Sequence, residues 1–130
     1  MSVAIKFPQA VGPVAQRGTS PAIHRDFVSA LEIILRRIVE GYQPQKIVLY
    51  GSLAWGHPDE DSDIDLLIVK DSDETPLERR VRVRRLAAEA GRRISFSPLV
   101  LTPNELQHRL DINDAFYQKI VTQGQTLYEQ

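Results

Sequence analysis

Residues 47–69 read IVLYGSLAWGHPDEDSDIDLLIV, and the order of features along this stretch decides the fold. An apolar strand comes first, then a Gly-Ser turn, a polar loop, an Asp-x-Asp pair and a second apolar strand. Ile47 to Tyr50 is β-prone without polar alternation, which predicts a strand buried on both faces. It stops at Gly51. Lacking a Cβ, glycine lets the backbone approach a ligand closely, and the Ser52 hydroxyl adds a donor to the turn amides; the combination suits phosphate oxygens. Ile64 to Val69 predicts the second buried strand. Side chains alternate across a strand, so Asp63 and Asp65 fall on one face, roughly 6.6 Å apart along the chain, and Ile64 points the other way.

Two ionised carboxylates this close repel and raise each other's pKa unless a cation or water screens them. Mg²⁺ prefers oxygen ligands and typically takes one or two carboxylates together with substrate phosphates. Two solvated aspartates at a strand end are the plainer alternative. The position of the pair, after a strand, a Gly-Ser turn and a polar loop, favours the metal. Gly51 and Ser52 are therefore the candidate nucleotide-binding residues, and Asp63 and Asp65 the candidate metal ligands.

The pattern Gly51-Ser52, ten residues, Asp63-x-Asp65 resembles the minimal nucleotidyltransferases of the DNA polymerase β superfamily. It is most similar to the small bacterial proteins that pair with a HEPN-domain RNase toxin, and the resemblance runs from about Pro21 to Gln130. It implies an α/β (α+β) nucleotidyltransferase fold, a small mixed sheet flanked by helices, with ATP as substrate, two Mg²⁺ ions and transfer of AMP to a hydroxyl. In the paired systems the implied acceptor is a tyrosine of the HEPN-type toxin, which would make this chain the antitoxin. Carried onto this sequence, Gly51 and Ser52 hold the triphosphate, and Asp63 and Asp65 are the catalytic, metal-binding pair.

One position departs from the family pattern. The usual third carboxylate lies on a later strand, shortly before a Thr-Pro that opens a helix. Here that strand is ISFSPLVL, Ile94 to Leu101, and the matching place is Ser97, with Ser95 on the same face. Neither serine ionises. If the third carboxylate acts as general base, a factor of roughly 10² to 10⁴ in rate is missing or comes from elsewhere. A nucleotide-binding or steric antitoxin with little catalysis thus stays open beside the enzyme. Small-molecule nucleotidylation, aminoglycoside-like, also stays open, although the chain has no room for the further domain that shapes such acceptor pockets.

The 130 residues fit a single domain. With 16 basic and 17 acidic side chains the net charge is −1, which gives no general attraction to nucleic acid or membrane. There is no cysteine, so thiol nucleophiles, disulfides and cysteine metal sites are excluded. No segment has the length of a membrane span, and the N-terminus lacks a continuous apolar stretch, so cytoplasmic residence is the default expectation.

Residues 1–20, with Pro8, Gly12, Pro13 and Gly18, read as a flexible lead-in to a nucleotidyltransferase domain over 21–130. A helix is expected from His24, with Phe27, Leu31, Ile34 and Ile38 on one face and Gly41 as its stop. Thr75-Pro76-Leu77-Glu78 predicts the start of a second helix ending near Gly91, and Thr102-Pro103-Asn104-Glu105 repeats the pattern before a short one. A last helix over Ile112 to Thr122 and a short strand over Thr126 to Tyr128 complete the chain.

Arginine is concentrated at Arg79, Arg80, Arg82, Arg84, Arg85, Arg92 and Arg93. On a helical wheel Val83, Leu86, Ala87 and Ala90 form one apolar stripe. Leu77, Val81 and Ala88 form a second, with Arg80 and Arg84 between. The bland reading is a solvated helix whose arginine stems cover apolar surface. The sharper one is a face for a homo-oligomer or an acidic toxin surface. RNA is disfavoured, because no aromatic residues interleave with the arginines. Trp55 reads as packing the turn rather than stacking a base, and His57 as a solvated loop residue.

Overall fold

The computed structural model describes residues 21–56, 62–88 and 94–130; the expected lead-in over residues 1–20, His57, and the expected helix end near Gly91 with Arg92 and Arg93 lie outside them. Helix α1 (Pro21–Tyr42) buries Phe27, Ala30, Leu31, Ile34, Leu35, Ile38 and Val39, the three- and four-residue recurrence of an amphipathic helix. It outruns the expected stop at Gly41 by one residue. Gly41 serves a different purpose: a Cβ there would lie 2.6 Å from a Leu86 methyl, so the glycine lets two helices approach. Tyr42 turns into the core, and Gln43 takes the left-handed conformation, φ 53°, that ends the helix.

Strands β1 (Lys46–Tyr50) and β2 (Ile64–Val69) pair antiparallel, with Tyr50 opposite Asp65. Between them Ser52–Trp55 form a one-turn helix, α2. Helix α3 (Pro76–Ala87) is the crossover that lets β3 (Phe96–Leu101) lie parallel to β2, a pairing that no tight hairpin can make. β3 begins two residues later than the apolar run suggested, although Ser95 already accepts a bond from the Ile64 amide at 2.8 Å. Helices α4 (Pro103–Asp111) and α5 (Ala115–Gln123) lead to β4 (Gln125–Glu129). α5 starts three residues after the expected Ile112, because Ile112 caps α4, Asn113 is left-handed at φ 58° and Asp114 caps α5. The sheet order is β3-β2-β1-β4. Pro98 is accommodated because β3 is an edge strand with one side free of partners.

The unbroken apolar runs of β1 and β2 serve two layers. Ile47, Leu49, Ile64, Leu66 and Ile68 meet α1 and α3. Val48, Tyr50, Leu67 and Val69 face the other way, toward Ile120 of α5 and Leu106 of α4. Both predicted Thr-Pro caps form: Thr75 accepts from the Glu78 amide, and Thr102 and Glu105 complete a reciprocal capping box.

One arginine leaves the expected solvated face. Arg79 is only 4% exposed; it donates to the Glu74 carbonyl at 2.9 Å, to the Val100 carbonyl at 3.2 Å and to both carboxylate oxygens of Glu105 at 2.6 and 3.1 Å. It ties α3 to β3 and α4. The pairing holds the Glu105 carboxyl below its ordinary 4.5, so this stabilisation is present above that pH and is lost as acid protonates Glu105. Arg79→Ala should cost about 2–3 kcal/mol, less than a fully buried pair because Glu105 is partly exposed, whereas Arg80→Ala should change stability by less than roughly 0.5 kcal/mol. Urea denaturation of both variants checks the contrast, and equal losses would contradict it.

Candidate active site

The candidate site forms where β1 ends, β2 begins and β3 runs alongside. Asp65 stands on the central pair of strands, with Tyr50 as its lateral neighbour on β1 and Ser97 on β3. Laterally paired residues project on the same face of a sheet, so the strand register brings Ser97 beside Asp65, at the place expected for the third carboxylate. Asp63 precedes β2 directly and shares that region, since its negative charge acts on Asp65. Burial first, and the Asp63 charge second, push the Asp65 carboxyl from its ordinary 3.8 up to about 6. The same burial, with the charge of Asp65 beside it, pushes the Tyr50 phenol up to about 12.

Gly51 has φ 81°, a left-handed conformation that side chains disfavour. A Cβ at this position would collide with Oδ2 of Asp65 and sit 3.1 Å from its Cγ. Glycine is required here for close approach to a carboxylate of the site itself, a reason the sequence does not disclose. The turn is held by its own backbone. Its carbonyl accepts from the amides of Ala54 and Trp55 at 3.0 and 2.8 Å, and Ser52 accepts from Gly56 at 2.9 Å. Leu53 is buried beneath, which anchors α2 and leaves Ser52 partly exposed beside Gly51.

Sheet order sets the two sides of the site. The Gly51-Ser52 turn extends from β1, and Ser97 belongs to β3, so Asp65 lies between them. On the β3 side opens a cleft of about 410 Å³ lined by Asp63, Ser95, Ser97, Phe96, Ala88 and Arg84. On the partner-binding alternative, Arg80 and Arg84 belonged to one face of the helix. They separate: Arg84 lines the Asp63 cleft, and Arg80 lines a crevice beside Glu105, Arg109 and Tyr117. Helical spacing placed the two arginines one turn apart but could not show which strand each overlies. Tyr50 and Arg84 are thus the site residues that motif spacing did not single out, and only strand register and helix docking bring them in.

Trp55 packs the turn, as expected. Its indole N–H donates to the Gln123 carbonyl at 2.9 Å, and the Lys119 ammonium lies 4.2 Å over its ring. Tyr50 links it to α5, with Trp55 at 6.2 Å and Phe116 at 5.7 Å between ring centroids. These contacts brace the end of β1 against α5 and so hold Gly51 in place.

Among the described residues no group of three or more His, Cys, Asp or Glu side chains could hold a metal ion. The candidate donor set is Asp63 and Asp65. It fits Mg²⁺: two hard oxygen donors, one of them resisting ionisation because burial and a like charge oppose it, is an arrangement that a divalent cation relieves and whose remaining positions water and phosphate complete. Among the described residues no helix is long and apolar enough to cross a membrane.

No curated protein matches the chain. The family model described as polymerase beta, nucleotidyltransferase, matches residues 34–130, a span that takes in every strand of the sheet, the Gly51-Ser52 turn, the Asp63/Asp65 pair and Ser97. With that match over most of its length, the chain belongs to the polymerase β nucleotidyltransferase family.

Proposed function

We propose that this protein transfers AMP from ATP to a hydroxyl, with a tyrosine of a HEPN-type RNase toxin as acceptor, and that it acts in the cytoplasm as the antitoxin of that pair through its domain over residues 21–130. The observation that carries the nucleotidyl-transfer reading is the placement of Asp63 and Asp65 between a Gly-Ser turn on one side and a polar cleft on the other. The acceptor and antitoxin assignments rest on the motif resemblance.

Gly51 and Ser52 receive the triphosphate, and the cleft lined by Ser95, Ser97 and Arg84 receives the acceptor. Asp63 and Asp65 would hold Mg²⁺, which would supply charge neutralisation at the triphosphate and activation of the acceptor oxygen. The acceptor oxygen forms a bond to the α-phosphorus while the bond to pyrophosphate breaks; pyrophosphate leaves with that electron pair, and the acceptor proton passes to a base. Ser97 cannot be that base. Arg84 contributes positive charge to the wall of the cleft next to Asp63.

Ser97 also supports the second reading, a nucleotide-binding antitoxin with little turnover, because it is Asp65's strand neighbour and carries no charge. The test is transfer of label from α-³²P-ATP to the protein encoded by the adjoining reading frame, with Mg²⁺ saturating. Slow transfer by wild type and acceleration by Ser97→Asp, up to roughly 10²-fold, is expected if general-base help is what the site lacks. A fast wild type that Ser97→Asp slows would assign the base to another residue or to the acceptor. Binding of Mg²⁺·ATP without transfer by either form would favour the second reading.

A further inference from the structure

Helix α3 presents a row of side chains that the fold does not use. Its inner positions, Arg79, Val83 and Ala87, are buried. Leu77 and Val81, one turn apart on the outer side, are 63% and 38% exposed, and they line a groove of about 520 Å³ together with Leu86, Glu78, Arg82 and Arg85. An amphipathic helix with a second, uncovered apolar stripe has more apolar surface than its own domain needs.

Charge along this face is sorted. Glu74 and Glu78 lie at the N-terminal end of the groove, and Arg82 and Arg85 toward the C-terminal end. Glu74 already pairs with Arg82, at 2.9 and 2.7 Å. Among the described residues, neither Glu78 nor Arg85 has an ion-pair partner.

A uniformly acidic partner would meet Glu74 and Glu78 as repulsion, and a uniformly basic one would meet Arg82 and Arg85. A surface with one sign at each end is complementary to itself turned end for end. That is the condition for an isologous contact about a two-fold axis. We propose that α3 is a homodimer interface in which two copies of the helix pack antiparallel near Val81. In this arrangement the exposed Leu77 and Val81 side chains of the two copies cover each other beside the half-buried edge of Leu86, and Glu78 meets Arg85 of the partner subunit at both ends of the contact. The far end of the same helix, at Arg84 and Ala88, walls the Asp63 cleft, so dimerisation brings Glu78 of the partner subunit toward the mouth of that cleft.

The test is sedimentation equilibrium of the full chain, whose monomer mass is 14.7 kDa, over roughly 1–100 µM at low and high salt. Wild type is expected to dimerise within that range, more weakly at high salt. Glu78→Arg and Arg85→Glu should each weaken the dimer by roughly tenfold or more, and the double exchange should recover most of the loss, because the pair is restored with its signs swapped. Leu77→Asp should leave a monomer. Circular dichroism confirms that each variant is folded, which is expected because all three positions are exposed. A wild type that stays monomeric throughout overturns the proposal and assigns the face to another partner. A dimer indifferent to Leu77→Asp moves the interface elsewhere, and single exchanges that the double does not rescue overturn the antiparallel pairing.

Discussion

Asp65→Asn is expected to reduce nucleotidyl transfer by roughly 10³-fold or more, since nucleotidyl transfer depends almost entirely on positioning and charge neutralisation around the phosphates. The substitution keeps shape and volume and removes only the charge. It should also make the apo protein more stable at neutral pH. The sign follows from the direction of the shift: the folded state holds the Asp65 proton up to about pH 6, against 3.8 ordinarily. Between those values the folded chain binds more protons than the unfolded one. Stability from this group is therefore full in acid and falls as pH rises toward 6 and above. Asparagine, which has no proton to lose and is not repelled by Asp63, escapes that loss. Thermal unfolding of apo wild type and Asp65→Asn from pH 4 to 8 should show the two curves close together at the acid end, separating as pH rises from about 4 to about 6 and holding a constant gap above that, with the variant higher. Saturating Mg²⁺ should close the gap, because the cation stabilises only the ionised wild type. Calorimetry supplies the independent check: Mg²⁺ should strengthen ATP binding in wild type and not in the variant. Unchanged metal-dependent binding in both Asp63→Asn and Asp65→Asn would remove the pair from the metal site.

Gly51→Ala should be damaging out of proportion to the single methyl group it adds. Two costs coincide. At φ 81° an L side chain is strained by roughly 1–2 kcal/mol, and the new Cβ collides with Oδ2 of Asp65, so the carboxylate or the turn must move. A total loss of about 2–4 kcal/mol is expected, with ATP binding weakened at least tenfold or so as the turn loses its place beside Asp65. Gly56 supplies the comparison. It too has positive φ, at 124°, but a Cβ there meets nothing within 4 Å. Gly56→Ala should thus show the backbone strain alone and leave ATP binding much nearer wild type. Chemical denaturation and calorimetry on the two alanine variants separate the terms; equal effects on ATP binding would mean that proximity to Asp65 is not what Gly51 provides.

Local chemistry is what the amino-acid sequence determined by itself. The apolar runs Ile47 to Tyr50 and Ile64 to Val69 became central strands because a continuous β-prone run can only be buried on two faces, and both Thr-Pro caps formed because a side-chain cap is closed within four residues. The Gly51-Ser52 to Asp63-x-Asp65 spacing was legible for the same reason: it spans the short stretch between two paired strands. Where prediction failed, a distant residue decided. Gly41 did not stop α1 because Leu86, far along the chain, needed its missing side chain. Arg79 left the solvated face because Glu105 and the Val100 carbonyl were waiting above it. Only the tertiary structure could put Ser97 beside Asp65, Arg84 against the Asp63 cleft and Gly51 onto a carboxylate. The first two depend on the parallel register of β2 and β3 and on how α3 docks over them, and the third on the antiparallel register that sets Tyr50 opposite Asp65. Register and docking are set by summed burial across the whole sheet, and that sum is not written in any one segment.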